Sequence, residues 1–262
     1  MQADLSNSPK ILFRQAMVVL PDGESAQLDV LIEDGLVSHV APAIENDDTA
    51  VTVVDASSYW LTAGLIDQHI NGGFGMAFNY ATEDDMLNFL TLLPKQGVTS
   101  ILPTLITAPR LELIQQIARL ENVIHQTEPS HAKPLGIHLE GPFINPKLRG
   151  AHPEADVIPF SEVILNELLS PSTKRITLAP ELLEGDYSPV SRLADKGVIC
   201  SMGHTDADYA TALSAIWGGV NSVTHVFNAM RPFHHRDPGG LMACLLDEST
   251  IIEVIADGAH VD

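Results

Sequence analysis

The pattern of apolar and polar positions changes near Trp60. Before this point the apolar runs are short, rich in β-branched residues and separated by Gly, Asp, Asn and Pro, as in ILFRQAMVVL, AQLDVLIEDG and VTVVDA. Short runs of this composition between turn residues are typical of β-strands. The pattern therefore predicts a small β-sandwich domain over residues 1–60.

From residue 61 onward, near-continuous apolar runs alternate with helical patterns. The runs predict seven strands, which are LTAGLIDQHI, VTSILPTLIT, PLGIHLEG, RITLAPE, VICSMGHT, SVTHVFNA and IIEVIADG. Thr82 predicts a helix N-cap, and Gly97 and Gly197 predict helix ends. Apolar strands alternating with helices indicate a parallel sheet that is covered on both faces. The predicted fold is α/β, with a (β/α)₈ TIM-like barrel over residues 61–262 and the small N-terminal domain before it.

The predicted barrel is one strand short. A (β/α)₈ barrel has eight strands and takes about 250 residues, whereas residues 61–262 supply seven predicted strands. We interpret the chain as an incomplete barrel that lacks its last strand, with an unusual barrel closure as the alternative.

Residues with metal-binding side chains stand at the ends of five of these strands: His69, Glu140, His204, His225 and His260. The C-terminal ends of barrel strands converge on one site. Imidazole and carboxylate groups suit Zn²⁺ or Fe²⁺. We predict one divalent metal ion on Glu140, His204 and His225, because three protein ligands with an open position are typical of a catalytic metal.

Two histidines near this site allow alternative interpretations. His69 and Asn71 point to the same side of the first strand, and His-x-Asn replaces the His-x-His that many barrel hydrolases use for a second metal ion. We therefore favour one ion and leave a second near His69 open. His138 shares a strand face with Glu140 but lies one layer deeper, where it is either a site residue or a core histidine.

The segments after the sixth and seventh strands carry further candidates. Arg236 follows His225 in a polar loop, and an Arg near the cleft of an acidic protein favours anion recognition. His234 and His235 beside it are either surface residues or site residues. His260 either contacts substrate or belongs to a frayed terminus.

Composition excludes some partners. Lys and Arg number 14 against 34 Asp and Glu, for a net charge of −20. Such a surface repels nucleic acid and anionic membrane, so neither is an expected partner. Cys200 and Cys244 lie in apolar runs and are interpreted as reduced core thiols. With no apolar stretch of membrane-spanning length and no signal-peptide pattern, a cytoplasmic protein is expected.

Five motifs together resemble the N-acetylglucosamine-6-phosphate deacetylase family of the amidohydrolase superfamily: GLIDQHINGGFG, HLEGPFINPKLRGAHPE, GHTDADY, THVFNAMRPFHHRDPG and ADGAHVD. The resemblance implies a barrel of the metal-dependent hydrolase type, and it implies that C-terminal strands would complete both the barrel and the small domain. The implied metal ligands are Glu140, His204 and His225, with Zn²⁺ or Fe²⁺ as the ion.

The resemblance also implies substrate contacts. Ala151 and His152 would line the sugar pocket, and Asn228 and Ala229 would hold the phosphate. Arg236 would reach the phosphate bound in the neighbouring subunit, which implies a homodimer. His260, with Asp257, would contact the substrate near its acetamido group, and His69 and Asn71 would lie beside the substrate.

The implied reaction is hydrolysis of the acetamide to give glucosamine-6-phosphate and acetate. A metal-bound hydroxide would attack, and His260 would help to stabilise the oxyanion. The general acid/base of the family is an Asp after the eighth strand, expected beyond Asp262, so we hypothesise that residues 1–262 alone are inactive or nearly so. The alternatives are another amidohydrolase, such as a cyclic amidase or a deaminase, and an inactive fragment that binds sugar phosphate.

Overall fold

The computed structural model describes residues 10–262, which fall into two compact units that divide between Leu65 and Ile66. The sequence pattern places this division at residue 60. The difference arises because the short strand Trp60–Leu61 pairs with the first strand of the chain and so belongs to the N-terminal unit.

The described part of the N-terminal unit is one mixed sheet of five strands: β1 Lys10–Val19, β2 Ser25–Glu33, β3 Leu36–Ala41, β4 Thr52–Asp55 and β5 Trp60–Leu61. Strands β1, β2 and β3 form antiparallel hairpins, while β4 and β5 run parallel to β1. A small core of Ala16, Val18, Val30 and Ala56 packs on it. Within residues 10–65 there is no second sheet, so the described part is one layer of the expected sandwich.

The second unit is a parallel sheet with helices between its strands. Its strands are β6 Leu65–Ile70, β7 Gly72–Gly73, β8 Met76–Ala77, β9 Val98–Ile106, β10 Lys133–Pro134, β11 Ile137–Glu140, β12 Thr173–Leu178, β13 Ile199–Met202, β14 Ser222–Val223 and β15 Ile251–Ile252. Strands β7 and β8 form a separate antiparallel pair, and β10 pairs with β9. Each of the other strands lies beside the next one in the chain, in the order β6-β9-β11-β12-β13-β14-β15. This is the strand order of a (β/α)₈ barrel with seven strands, which confirms the predicted fold.

Six α-helices connect these strands: α1 Glu83–Leu92, α2 Arg110–Gln126, α3 Glu162–Leu168, α4 Ser188–Asp195, α5 Tyr209–Trp217 and α6 Gly239–Leu246. Thr82 is the N-cap of α1, as predicted, and Asp85 completes a capping box with it. Helix α6 has no counterpart in the predicted elements, because its sequence GGLMACLL has no polar face from which a helical period can be read. None of the helices described between residues 10 and 262 is both long and apolar enough to cross a membrane.

The last two barrel strands are shorter than predicted. Strand β14 ends at Val223, and the backbone of His225, Phe227 and Ala229 then takes positive φ angles that a strand cannot contain. Strand β15 ends at Ile252, so Asp257 and His260 lie beyond the strand rather than at its end.

The core of the second unit lies between the sheet and its helices. Phe78, Phe143, Met86 and Leu90 are among its largest fully buried side chains. Cys200 and Cys244 are buried free thiols, as expected, and burial raises the pKa of each to about 12. This packing fixes the strands whose C-terminal ends carry the candidate ligands.

Candidate metal centre

Three of the predicted ligands meet at the C-terminal ends of neighbouring strands. Glu140 ends β11, His204 follows β13 and His225 follows β14. Oε1 of Glu140 lies 3.1 Å from Nε2 of His204 and 3.2 Å from Nε2 of His225, and the two Nε2 atoms are 3.0 Å apart. Two ligands on one tetrahedral ion with bonds of about 2.0–2.1 Å are separated by about 3.3 Å. The three donor atoms therefore form a triangle of the size that a small divalent ion needs.

Hydrogen bonds fix the orientation of His204. Its Nδ1 lies 2.9 Å from the main-chain oxygen of Leu148, which can only accept, so the proton of the neutral ring is on Nδ1. Nε2 is then left with a lone pair toward Glu140 and His225. A metal-bound histidine is commonly oriented by such a contact on its other nitrogen. Nδ1 of His225, by contrast, is buried without a hydrogen-bond partner among the described residues.

The two histidines stand on strained backbone. His204 has φ of 49° and His225 has φ of 33°, in the left-handed region that residues other than Gly rarely adopt. Strain of this kind is concentrated at functional sites, where surrounding contacts hold it in place. Here it turns both side chains inward immediately after their strands end.

The second carboxylate oxygen of Glu140 is held by the first strand. Oε2 lies 3.1 Å from Nε2 of His69 and accepts a hydrogen bond from Nδ2 of Asn71 at 3.3 Å. Burial tends to raise the pKa of Glu140, but hydrogen bonds from donor histidines, chiefly His152 and also His69, outweigh burial and hold that pKa well below its ordinary value. Glu140 is therefore a carboxylate with one oxygen anchored and the other facing the ligand triangle.

His152 is also brought to this cluster, but its geometry differs. Its Nε2 is 3.8 Å from Oε1 of Glu140, and its Nδ1 accepts a hydrogen bond from the backbone N–H of Thr107 at 3.3 Å. The proton of the neutral ring is then on Nε2, so His152 presents a donor to the centre and not a lone pair. Burial lowers the pKa of His152, which favours this neutral form.

Glu140, His152 and His204 form one group whose donor atoms all lie within 4.8 Å of one another. The shorter distances to His225, and the N–H that His152 presents, favour His225 as the third ligand. A divalent ion thus fits the donor set of one carboxylate and two imidazoles.

Two charged residues of the cluster were missed from the sequence. Glu253 follows β15, and its Oε1 is 2.7 Å from Nδ1 of His69, while Arg175 of β12 forms an ion pair of 2.5 Å with Oε2 of Glu253. Burial tends to raise the pKa of Glu253, but His69 and Arg175 lower it to about 2. Burial tends to lower the pKa of His69, yet its two carboxylate partners raise it to about 9. The signal in the sequence is the single charge of Glu253 inside the apolar run IIEVIA, whereas Arg175 follows Lys174 at the start of RITLA and carries no such signal.

His138 is a core histidine. It is fully buried and contacts Thr104 at 3.1 Å and Thr177 at 2.8 Å. Burial lowers its pKa well below the ordinary value. Its ring lies beneath His69, at 4.8 Å between the ring centroids, and not among the candidate ligands.

The other predicted site residues lie outside this cluster. Ala151 and Arg236 are exposed, and Nδ2 of Asn228 donates to main-chain oxygens of its own loop. The carbonyl oxygen of Ala229 accepts a hydrogen bond from the backbone N–H of Thr205. The exposed His260 is 2.7 Å from Asp257, and within residues 10–262 no hydrogen bond or ion pair joins this pair to the cluster. His234 and His235 are exposed, with ring centroids 4.2 Å apart.

A sequence model of the Amidohydrolase family matches residues 60–262, which is most of the chain. The chain belongs to the amidohydrolase family. Members of this family generally depend on metal ions, in agreement with the donor set at the strand ends.

Individual relatives of this amidohydrolase carry narrower names. This chain is 38% identical over 220 residues to a human N-acetylglucosamine-6-phosphate deacetylase. The alignment covers 79% of this chain and 53% of the relative. This chain is also 33% identical over 264 residues to an N-acetylgalactosamine-6-phosphate deacetylase of Shewanella, covering 97% of this chain and 65% of the relative. The chain spans roughly half to two thirds of the length of the curated relatives it matches.

Solved structures agree with this placement. An N-acetyl-D-glucosamine-6-phosphate deacetylase variant from Mycobacterium smegmatis, in complex with N-acetyl-D-glucosamine-6-phosphate, superposes with a TM-score of 0.83 at 29% identity. The superposition covers 96% of this chain and 65% of that one. The predicted resemblance to deacetylases of this kind is confirmed.

Proposed function

We propose that the protein hydrolyses the acetamide of N-acetylglucosamine-6-phosphate to glucosamine-6-phosphate and acetate. The observation that carries the proposal is the triangle of Glu140 Oε1, His204 Nε2 and His225 Nε2, with edges of 3.0 to 3.2 Å. It occurs in a chain that is 38% identical to a deacetylase of that name. A divalent ion held there would lower the pKa of a bound water and polarise the acetamide carbonyl.

The residues of the chain would orient the substrate around that ion. Nε2–H of His152 is a buried donor 3.8 Å from Oε1 of Glu140 and would hydrogen-bond a substrate oxygen. Ala151 would line the sugar pocket beside it. Asn228 and Ala229 would hold the phosphate, and His260 with Asp257 would contact the acetamido group. His69 and Asn71 would keep Glu140 in place at the edge of this pocket.

Partners and location are part of the same proposal. The exposed Arg236 would reach the phosphate in the neighbouring subunit of a homodimer, where its planar guanidinium suits a phosphate. One ion per chain, Zn²⁺ or Fe²⁺, suits one carboxylate and two imidazoles. Buried free thiols at Cys200 and Cys244 favour the cytoplasm.

The galactosamine isomer is a second candidate substrate. The similarity to the Shewanella enzyme extends over 97% of this chain at 33% identity, which supports it as a specific alternative. The two sugars differ in the configuration of one hydroxyl group, so their relative kcat/KM values separate the two proposals.

The test uses the protein at its natural length. Bound metal is quantified, and product release is measured from N-acetylglucosamine-6-phosphate, its galactosamine isomer and a cyclic amide. We expect about one ion per chain and rapid acetate release from an amino-sugar phosphate. Metal with turnover of the cyclic amide alone would identify another amidohydrolase. Metal and sugar-phosphate binding without turnover would identify an inactive binding protein.

Two variants make the test specific to the site. Glu140→Gln keeps the shape of the side chain but removes its charge, and we expect loss of both metal and activity. Glu248→Gln makes the same change at an exposed position and should behave as wild type. Retention of metal and activity by Glu140→Gln would show that the ion is not bound at this triangle.

A further inference from the structure

A chain of four side chains runs from the interior of the sheet to the candidate metal ligand. It begins at Arg175 on β12, which is only 2% exposed. Nη2 of Arg175 lies 2.9 Å from Oγ of Ser201, 3.2 Å from Oγ1 of Thr224 and 3.4 Å from Oγ of Ser222. Hydroxyl groups on β13, on β14 and just after β14 thus fix the guanidinium in one orientation.

Glu253 is the next member of the chain. A buried guanidinium keeps its proton and needs a counter-charge, and Glu253 is its ion-pair partner among the described residues. The other oxygen of Glu253, Oε1, accepts a hydrogen bond from the backbone N–H of His225 at 3.0 Å and faces Nδ1 of His69 at 2.7 Å. The carboxylate is therefore held from three directions and has one orientation.

His69 transmits this orientation to Glu140. Its ring lies between two carboxylates, with Nδ1 against Glu253 and Nε2 against Oε2 of Glu140 at 3.1 Å. Carboxylate oxygens only accept hydrogen bonds, so both ring nitrogens face acceptors, and a ring that donates from both nitrogens has no lone pair left for an ion. His69 thus acts as a donor to Glu140, and the free oxygen of Glu140 is the one that faces His204 and His225.

We propose that Glu253, anchored by Arg175, is a positioning residue that acts through His69 to aim Oε1 of Glu140 at the metal ion. The proposal rests on the metal site proposed above. According to the proposal, the affinity of the site for its metal ion depends on two charged residues, Glu253 and Arg175, that do not themselves face the ligand triangle. Partners of metal ligands commonly contribute about 10–100-fold in affinity.

The test measures metal affinity and not only activity. Metal-free protein at natural length is titrated with Zn²⁺ in competition with a chromophoric chelator, and the ligand-field spectrum of the Co²⁺ form is recorded. We expect Glu253→Gln to weaken Zn²⁺ binding about 10–100-fold and to change the Co²⁺ spectrum. Glu121→Gln is the matched control, because Glu121 is a half-buried carboxylate that accepts hydrogen bonds from Ser172, just before the N-terminal end of β12 and so at the opposite end of that strand from the ligands.

A double-mutant cycle tests the route through His69. If Glu253 acts through this ring, Glu253→Gln combined with His69→Gln weakens binding no more than His69→Gln alone. If the double variant instead loses Zn²⁺ affinity by the product of the two single-variant factors, the proposed route through His69 is contradicted. Should Glu253→Gln fail to fold because Arg175 is left unpaired, Arg175→Met with Glu253→Gln removes both charges and should show the same weak binding.

The outcomes separate this inference from the proposed function. Unchanged affinity and spectrum in a folded Glu253→Gln protein, together with loss of metal in Glu140→Gln, would overturn the positioning role alone. Full metal binding by Glu140→Gln would overturn the metal site itself, and the inference would fail with it.

Discussion

Gly203 immediately precedes the candidate ligand His204. The structure leaves no room for a side chain at this position. A β-carbon at this position would lie 2.7 Å from Cγ2 of Thr177 and 2.9 Å from Cβ of Thr224. Both contacts are shorter than carbon atoms tolerate, and both neighbours are β-branched residues with little rotamer freedom. The close approach sets where the chain turns inward after β13.

We therefore expect Gly203→Ala to displace His204. The added methyl group should lower the free energy of unfolding by about 1–3 kcal/mol and reduce metal affinity. Urea denaturation and the Zn²⁺ titration measure the two effects. Gly197→Ala is the control: its β-carbon would meet nothing within 4 Å, and only its positive φ of 73° is strained. It should lose about 1 kcal/mol of stability and no metal affinity.

Asp29 offers a pH-dependent test in the N-terminal unit. Its buried carboxylate accepts hydrogen bonds from the backbone N–H groups of Gln15 at 2.8 Å and Ile44 at 3.0 Å, and from Arg14 at 2.7 Å. Burial tends to raise the pKa of Asp29, but these hydrogen bonds together lower it below the ordinary value. A lowered pKa means that the carboxylate stabilises the folded state above the ordinary Asp pKa of about 3.9, and that this stability is lost as the pH falls.

Asp29→Asn should reduce the protection of β1 and β2 amides in native-state hydrogen exchange by about 1–3 kcal/mol near neutral pH. The difference from wild type should shrink below about pH 4. Asp22→Asn, in an exposed turn, should show neither effect. A difference that grows as the pH falls would contradict the assigned direction of the pKa shift.

At the scale of elements, helices and strands could be predicted from the sequence more completely than loops and side-chain pairings could. Thr82 and the seven barrel strands could be read from the sequence, because local capping and apolar runs carry their own signal. Helix α6 could not, because a wholly apolar segment has no period. The pairing of Arg175 with Glu253 could not be read from the sequence either, because the two residues belong to β12 and to the segment after β15, which are not neighbours in the sheet.

The capping box of α1 makes an element-scale prediction. The backbone N–H of Asp85 donates to Oγ1 of Thr82, and the backbone N–H of Thr82 donates to Oδ2 of Asp85. Thr82→Ala removes the first bond and should destabilise the protein by about 1 kcal/mol in urea denaturation. Thr82→Ser keeps a hydroxyl group there and should cost much less. An equal loss of unfolding free energy in Thr82→Ala and Thr82→Ser would show that the hydroxyl group does not cap the helix.

At the scale of the whole molecule, the net charge of −20 opposes the proposed substrate. A sugar phosphate is an anion, so its approach is slowed by the field of the protein at low ionic strength. Salt screens this field, with a Debye length of about 10 Å at 0.1 M.

We expect kcat/KM for N-acetylglucosamine-6-phosphate to rise when the NaCl concentration is raised from about 10 to about 150 mM. The unphosphorylated sugar is the control and should respond little, because it carries no charge. A fall in kcat/KM for the phosphorylated sugar would mean that local cations such as Arg236 dominate the encounter.

The candidate ligands are far apart along the chain. Glu140 is 64 residues from His204 and 85 residues from His225. In an unfolded chain Glu140 is therefore not close to either histidine of the site, and the donor triangle exists only after several parallel strands have paired. Such non-local pairings form slowly. A bound ion would accordingly join late in folding: it would leave the folding rate almost unchanged and slow the unfolding rate, so the metal would set how long the native protein lasts.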